Sequence, residues 1–253
     1  MDLLRLARQF ERSFATGDRV VRLSHDRKTV FVGDIHGDLD AFERALAAAG
    51  DAAVVFLGDL VDRGPLSRDV LERALAAKLE RPEAVHILMG NHEAWAAAKF
   101  RPADFWQSLS PGEVKTVGAA LLRLPFAASH PAGVLGVHGA LPDLASLDLV
   151  SSVSPGDPAW RAITWGDWGE TSGAADPASG RPRFGPGDFR ERSARLGARV
   201  VVRSHQPDAP TYQFDDRCLT LFTSSSYGES RQIAILPRGR CVQTARDLDL
   251  VRI

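Results

Sequence analysis

Five short motifs in this sequence carry side chains that could act together in one chemical step. They are GDIHGD (33–38), GDLVDRG (58–64), GNHE (90–93), VHGA (137–140) and RSHQ (203–206). Their polar side chains, which include four of the seven histidines, belong to Asp34, His36, Asp38, Asp59, Asp62, Arg63, Asn91, His92, Glu93, His138, Arg203 and His205. If the motifs converge, several carboxylates share one site, and burying like charges is costly unless a cation neutralises them. Asp, His and Asn without Cys form a ligand set suited to borderline or hard divalent metals.

Each motif also has an ordinary structural explanation when it stands alone. A GD pair after a strand is usually a turn or a helix cap. An isolated NHE is usually a helix start, and an isolated His at a strand end is more often a hydrogen-bonded structural residue. All five motifs occur here, each after its own apolar run. This coincidence favours a shared site.

The motifs end five β-rich runs, at 29–38, 53–64, 85–93, 133–140 and 199–206. Continuous Val, Ile and Leu runs of this length predict strands that are buried on both faces. Helical patterns follow the first three runs, at 39–50, 67–80 and 92–100. Strands that alternate with helices predict an α/β domain. In open sheets of this class, ligands bind beyond the carboxyl ends of the strands, where the motifs lie.

Two later segments have a different composition. Residues 151–188 are rich in Gly, Pro and Ser but contain Trp160, Trp165 and Trp168, so we predict a surface flap that is partly packed. For these tryptophans, packing is favoured over a role as substrate platforms. The tail, 218–253, alternates apolar and polar residues and predicts antiparallel strands that close a second sheet. Without an internal repeat or a boundary, 1–253 is predicted to be a single domain.

The overall composition excludes several classes of function. The net charge of −1 and the absence of a Lys/Arg run argue against a nucleic-acid partner. No apolar window reaches the length of a membrane span, and the first residues do not resemble a signal peptide. Cys218 and Cys241 are outside any CxxC motif, so we expect reduced, mostly buried thiols and a cytoplasmic location. A monomer is also expected.

With these motifs in this order, the sequence resembles the calcineurin-like metallophosphoesterases. It is most similar to their Ser/Thr phosphoprotein phosphatases of bacterial or phage size, whose patterns are GDxHG, GDxVDRG, GNHE, a later HG and a final R-x-H. The resemblance covers nearly the whole chain and includes 123–144, 184–207 and 221–230. Departures are Met89, where relatives commonly carry Arg, HGA in place of HGG, and the flap.

The resemblance implies a fold and a metal centre. The fold would be two β-sheets sandwiched between helical layers, a four-layer αββα arrangement, with two divalent metals at the strand ends. By motif, Asp34 and His36 would bind the first metal and Asp59 would bridge both. The second site would be completed by Asn91, His138 and His205. Mn²⁺ is expected, with Fe or Zn as alternatives. A water or hydroxide between two cations has a much lowered pKa and would be the nucleophile.

The resemblance also implies roles for residues that bind substrate and transfer protons. Arg63 and Arg203 would hold the phosphate oxygens, and Asn91 would add a donor. His92 would be the general acid, with its tautomer fixed by Asp62.

Three further residues remain less defined. Tyr227 would reach the mouth of the site. Asp38 is expected to cap a helix or support the ligands rather than bind metal, and Glu93 could either orient its neighbours or cap a helix. His86 is expected to be structural.

Three functions follow from these features. The first is a metal-dependent Ser/Thr protein phosphatase, with phosphotyrosine and small phosphoesters as further candidate substrates. The second is a dinucleoside polyphosphate hydrolase, of the diadenosine tetraphosphate type, or a broad small-molecule phosphoesterase. Those relatives usually lack the second Asp of GDLVDRG and often carry HAG, so Asp62 and His138-Gly139 favour the first. The third, a binding module without activity, predicts loss of the ligands or of the His–Asp pair, and both are present.

Overall fold

The computed structural model describes residues 2–14, 18–176, 179–228 and 231–253. The helices in this part of the chain are α1 (Leu3–Ser13), α2 (Leu39–Ala49), α3 (Ser67–Glu80), α4 (Asp104–Ser108), α5 (Pro111–Leu121), α6 (Pro158–Trp165) and α7 (Pro186–Arg195). The strands are β1 (Val20–Arg22), β2 (Thr29–Val32), β3 (Ala53–Phe56), β4 (Val85–Ile87), β5 (Ala127–His130), β6 (Val134–Val137), β7 (Asp167–Trp168), β8 (Arg183–Phe184), β9 (Val200–Arg203), β10 (Tyr212–Gln213), β11 (Cys218–Thr220), β12 (Gln232–Leu236) and β13 (Asp249–Arg252). Short 3₁₀ turns are formed by Glu93–Ala96, Leu147–Ser152, Ser225–Tyr227 and Ala245–Asp247.

The strands form two large sheets and one small pair. One sheet has the order β13-β12-β2-β3-β4, the other has the order β1-β5-β6-β9-β11-β10, and β7 pairs with β8. β2, β3 and β4 are parallel neighbours, as are β6, β9 and β11. Parallel strands end at the same edge of a sheet, so all five motifs begin where these strands end.

Three apolar clusters separate the layers and explain the continuous apolar runs. In β2, Val30 and Val32 belong to the cluster beneath helices α1, α2, α3 and α5, whereas Phe31 belongs to the cluster between the two sheets. In β9, Val200 and Val202 belong to the cluster between the two sheets, and Val201 belongs to the cluster beneath α7. Successive side chains of a strand point to opposite faces, so a strand that is covered on both sides is apolar throughout. The predicted α/β fold, with two sheets flanked by helices, is confirmed.

Two of the three predicted helices are confirmed. α2 spans Leu39–Ala49, and Gly50, with φ 55°, follows its last residue; α3 spans Ser67–Glu80. The helix predicted at 92–100 is wrong, because only the turn Glu93–Ala96 forms. Here the Trp95 ring stacks on Trp106 at 5.2 Å, and its Nε1 donates to the Phe100 carbonyl. These tertiary contacts override the local helical pattern.

The flap and the tail are more structured than the sequence indicates. Residues 151–188 contain α6 and the β7–β8 pair, while residues 177–178 and, in the tail, 229–230 lie outside the described residues. Trp160 and Trp168 are buried, so packing is confirmed for these two. The prediction of antiparallel strands in the tail is confirmed for β12 and β13, which pair with each other and complete the sheet of β2, but not for β11, which is parallel to β9. β11 joins β9 in one sheet, whereas β12 pairs with β2 in the other. Alternating residues predict a strand but not its partner.

The cysteines and helices bear on two further expectations. Both cysteines are free thiols; Cys218 is buried, but Cys241 is exposed, so the prediction of burial is wrong for Cys241. Burial raises the pKa of Cys218 to about 12. None of the helices in the described part of the chain has the length and apolar composition needed to cross a membrane.

His86 should make folding stability depend on pH. It is buried in β4, and burial together with the cations of Lys78 and Arg27 lowers its pKa to about 4. The unfolded chain, with a histidine pKa of about 6.5, therefore binds more protons between pH 6.5 and 4. The stabilisation is complete above pH 6.5 and is lost as the pH falls toward 4, which amounts to roughly 3 kcal/mol. We expect His86→Gln to flatten this part of the pH dependence, measured by urea unfolding at pH 7, 5.5 and 4.5.

His25→Gln, a change at an exposed histidine, is the matched control. An identical dependence of unfolding free energy on pH in the two variants would contradict the role of His86.

Candidate metal centre and active site

The site loops have a strained backbone. His36, Asp59, Asp62, Arg63 and His205 have φ between 45° and 73°. This left-handed conformation is uncommon for residues other than glycine, and it persists only where the surroundings enforce it. Sharp turns directly after the strands aim these side chains into one space.

Two glycines let the β3 and β4 loops approach through their backbones. A Cβ atom on Gly58, which has φ 108°, would lie 2.5 Å from the Gly90 nitrogen. A Cβ atom on Gly90 would lie 2.6 Å from the Asp59 nitrogen and 2.2 Å from its Oδ1. No side chain fits between these loops, so GDLVDRG and GNHE need their first glycines for contact with each other.

Glu93 binds these two loops together. Its carboxylate is fully buried, and Oε2 accepts hydrogen bonds from the Asp59 and Gly90 nitrogens, at 2.7 and 3.0 Å. Its Oε1 accepts from the Leu60 nitrogen at 2.8 Å. Of the two roles left open by the sequence, the structure shows orientation of the neighbouring loop, because two of the three donors lie outside the turn of Glu93.

The first group of candidate ligands contains Asp34, His36 and Asp59. Nδ1 of His36 donates to the Val61 carbonyl at 2.9 Å, so its Nε2 is free to face the carboxylates. This Nε2 lies 3.5 Å from Asp34 Oδ2 and 3.7 Å from Asp59 Oδ2. Asp34 Oδ2 is buried and has no hydrogen-bond partner among the described residues. An unpaired buried oxygen beside an imidazole nitrogen that faces it fits a cation ligand set.

The second group is formed by Asp59, Asn91, His138 and His205. Nδ1 of His138 bonds to the Leu57 carbonyl at 3.0 Å. Its Nε2 lies 3.2 Å from Asn91 Oδ1, 3.1 Å from His205 Nδ1 and 3.4 Å from Asp59 Oδ2. Asp59 therefore belongs to both groups through Oδ2, while its Oδ1 accepts from the His92 nitrogen at 3.0 Å. The structure brings together all six predicted metal ligands.

The charges of this cluster stabilise one another away from water. Burial alone would raise the pKa of Asp59, but the surrounding imidazoles, foremost His138, hold it well below its usual value. At His138 burial would lower the pKa, but the Asp59 carboxylate outweighs it and raises the pKa to about 9. Burial and the neighbouring His138 lower the pKa of His205 well below its usual value. Burial and Asp59 raise the pKa of Glu93 to about 7. The pKa shifts of His138 and His205 are therefore opposite in direction, because the Asp59 carboxylate acts mainly on His138, which in turn disfavours a charge on His205.

His92 and Asp62 form a buried pair beside the cluster. Asp62 Oδ2 lies 2.6 Å from His92 Nδ1, and its Oδ1 accepts from the Phe105 nitrogen at 2.8 Å. The Trp106 indole donates to the His92 carbonyl at 2.8 Å. Nε2 of His92 is then directed toward the site and lies 3.9 Å from Asp59 Oδ2. The predicted pairing of these two residues is present in the structure.

The two predicted phosphate-binding arginines are in different environments. Arg63 is exposed, with its guanidinium carbon 5.3 Å from the centre of the Tyr227 ring. Arg203 is completely buried and donates to Gln206 Oε1 at 2.8 Å. Its Nε and Nη2 are buried without a hydrogen-bond partner among the described residues, and the contact of Arg203 with phosphate stays a prediction.

Sequence reasoning missed a second charged pair next to the cluster. Asp167 Oδ1 lies 3.6 Å from His205 Nε2, and Arg181 lies 3.6 Å from the other oxygen of Asp167. Both residues come from the segment predicted to be a flap. No motif marks them, because only the fold of α6 and β7 brings this segment to the site.

Aromatic rings flank the site on two sides. The Tyr227 hydroxyl lies 3.3 Å from His36 Nε2, which places this residue beside a predicted metal ligand. Opposite, the Phe100 ring packs edge-on against His92 at 4.8 Å, and Trp165 packs against Phe100 at 5.0 Å. Phe100 was not predicted, and it carries no signal in the sequence beyond its apolar type.

Several known proteins resemble this chain. A serine/threonine-protein phosphatase of Caenorhabditis elegans, C23G10.1, is 27% identical over 91% of the chain and 54% of its own length. The catalytic subunit of serine/threonine-protein phosphatase 6 of Drosophila melanogaster is 27% identical over 77% of the chain and 69% of its own length. The chain thus spans about half the length of the first of these relatives.

A solved structure shares the fold. The protein serine/threonine phosphatase from Saccharomyces cerevisiae with similarity to human phosphatase PP5 superposes with a TM-score of 0.79 at 21% identity. The match covers 98% of this chain and 88% of the other. Residues 27–209, which include all five motifs, match the family described as calcineurin-like phosphoesterase. The resemblance inferred from the motifs is confirmed, and the chain belongs to the calcineurin-like phosphoesterase family.

Proposed function

We propose that this chain is a phosphomonoester hydrolase that depends on two divalent metals and acts as a Ser/Thr protein phosphatase. The observation that carries the proposal is the position of Asp59, which is shared by two ligand groups and lies beside the His92–Asp62 pair. The names of the relatives support the substrate class. A phosphorylated protein is therefore the proposed partner, with small phosphoesters as further substrates.

The metals would be held by the two ligand groups around Asp59. His92 also lies close enough to His36 and Asp59 to form a possible ligand triplet. We assign Asp34 to the first group instead, because its buried Oδ2 is unpaired whereas His92 is engaged by Asp62. When bound, two cations would supply positive charge for the phosphoryl oxygens and acidify the attacking water. Mn²⁺ is the proposed metal, with Fe or Zn as alternatives, because all ligand atoms are N or O.

The chain's own side chains would bind and orient the phosphate. Arg63 is exposed at the mouth, and its planar guanidinium suits two phosphate oxygens at once. Asn91 can present its NH₂ to the substrate while its Oδ1 faces His138. Arg203 is buried, and its unpaired Nε and Nη2 would donate to the phosphate oxygens.

His92 would hold the proton that the leaving group needs. Asp62 accepts from Nδ1, so the second proton of the imidazolium is carried on Nε2, the atom that faces the site. The Phe105 and Trp106 hydrogen bonds keep both partners in place. A general acid of this kind contributes about 10²–10⁴-fold to a rate.

The remaining expectations from the sequence are proposals of the same kind. They are a single domain over 1–253, a monomer, a cytoplasmic location and the absence of nucleic-acid and membrane partners. The dinucleoside polyphosphate alternative is not favoured, since Asp62, which hydrolases of that type usually lack, is present and lies 2.6 Å from His92 Nδ1.

We expect turnover to depend on metal and to favour phosphoserine. After exhaustive chelation and gel filtration the protein should be inactive, and Mn²⁺ should restore activity best. kcat/KM should be highest for a phosphoserine peptide when it is compared with a phosphotyrosine peptide and diadenosine tetraphosphate. Activity that survives chelation would contradict metal dependence, and a preference for the dinucleotide would establish the alternative.

We expect His92→Asn to lower the rate by about 10²–10⁴-fold while the metal content stays unchanged, because the variant removes the proposed acid but no proposed ligand. The loss should be smaller for p-nitrophenyl phosphate, whose leaving group needs no proton, than for an alkyl phosphate. Equal losses on both substrates would rule out the acid role.

We expect Glu93→Gln to weaken metal binding and activity by about 10–100-fold, the usual effect of removing a group that orients ligands. The amide NH₂ would face backbone N–H donors that now bond to a carboxylate oxygen. Metal affinity is measured by titration, with Glu43→Gln, a change in a half-exposed ion pair, as control. A lowered Tm with unchanged metal affinity would show that Glu93 only stabilises the fold.

A further inference from the structure

The loop that carries Tyr227, residues 221–228, is attached to the first motif along its length. The Thr223 nitrogen donates to the Asp34 carbonyl at 3.2 Å, and Thr223 Oγ1 accepts from the Gly33 nitrogen at 2.9 Å. Further along, the Ser225 nitrogen donates to Asp38 Oδ2 at 2.9 Å. The loop therefore follows the backbone of GDIHGD, which carries two of the proposed metal ligands.

Asp38 is the most connected of these anchors. Its side chain is 7% exposed, and besides Ser225 it accepts from the Ala41 nitrogen at 3.1 Å, at the start of α2. Arg231, on the far side of the loop, pairs with Asp38 at 2.9–3.0 Å and with Asp40 at 2.5 Å. One partly buried carboxylate thus connects the first motif, the Tyr227 loop and the start of β12. A charged hydrogen bond in a partly buried place restrains its partners more than an exposed ion pair does.

Tyr227 transmits this attachment to the site. Its hydroxyl lies 3.3 Å from His36 Nε2, its ring lies under Arg63 at 5.3 Å, and Phe222 supports the ring at 5.2 Å. A cation over an aromatic ring is attracted to its face, so the position of Tyr227 also biases the position of the Arg63 guanidinium. If the loop moves, both sides of the entrance next to His36 move with it.

We propose that Asp38 and Arg231 are positioning residues that hold Tyr227 over His36 and beside Arg63, and thereby set how tightly the site binds a phosphoester. They touch neither the substrate nor the proposed metals and act through Tyr227. This proposal deepens the proposed function and rests on it. Because these residues affect substrate binding but not the reacting groups, their loss should raise KM and leave kcat nearly unchanged.

The test compares Arg231→Ala with a matched control. Arg44 pairs with the same Asp40 at 3.0 Å, but within α2 and with both side chains more than half exposed. Arg44→Ala therefore removes an ion pair of equal chemistry without releasing the Tyr227 loop. Each variant is assayed with saturating Mn²⁺ on p-nitrophenyl phosphate and on a phosphoserine peptide.

We expect Arg231→Ala to raise KM about fivefold with kcat changed less than about twofold, an effect of the size seen between contacting residues. Arg44→Ala should leave both constants unchanged, and Arg231→Lys should restore part of the affinity. In a Tyr227→Ala background, Arg231→Ala should have no further effect. Additive effects of Arg231→Ala and Tyr227→Ala, or equal effects of Arg231→Ala and Arg44→Ala, would overturn the proposal.

Hydrogen exchange provides a readout that does not require activity. The Ser225 amide is held by Asp38, so peptides covering 221–228 should exchange faster in Arg231→Ala than in the wild type or Arg44→Ala. Unchanged exchange would overturn the proposal. If the wild-type protein hydrolyses none of the phosphoesters, the proposed function fails, and exchange alone decides whether the ion pair holds the loop.

Discussion

The site depends on one constraint: charged side chains can be buried together only if opposite charges and hydrogen bonds offset the loss of water. The Glu93 carboxylate shows how this is met. It accepts three backbone N–H groups from two loops that approach closely because Gly58 and Gly90 lack side chains. This interaction fixes the backbone of Asp59 in its left-handed conformation. The direction of the Asp59 carboxylate, and therefore the geometry of both ligand groups, follows from it.

The two aspartates of GDLVDRG meet the same requirement with different partners. They are three residues apart, and both have positive φ, yet their carboxylates point to different partners. Asp59 lies among three imidazoles that lower its pKa. Asp62 lies on the far side of His92, where the Phe105 nitrogen and the imidazole Nδ1 satisfy both its oxygens. One loop thus supplies both the Asp59 carboxylate, which the two ligand groups share, and the Asp62 carboxylate, which orients His92.

Around this rigid centre the entrance is built from less constrained elements. Tyr227 lies on the side of His36, and Phe100 with Trp165 lies on the side of His92. All three residues lie outside the five motifs, Trp165 at the end of α6 and Tyr227 in the stretch 221–230. Asp167 and Arg181 approach His205 from the segment after α6 in the same way. The centre is therefore held by backbone geometry, whereas the entrance is formed by side chains from several separate segments.

The sequence by itself determined the strands, two of the helices and the six ligand candidates. Apolar runs and the motifs at their ends are local properties, and buried parallel strands require them. Tertiary structure decided what depends on partners distant in the chain. It buried Arg203, exposed Cys241, divided the tail between two sheets and shortened the helix after GNHE. The physical reason is that a residue's type fixes what it can bond to, whereas packing alone fixes which partner is within reach.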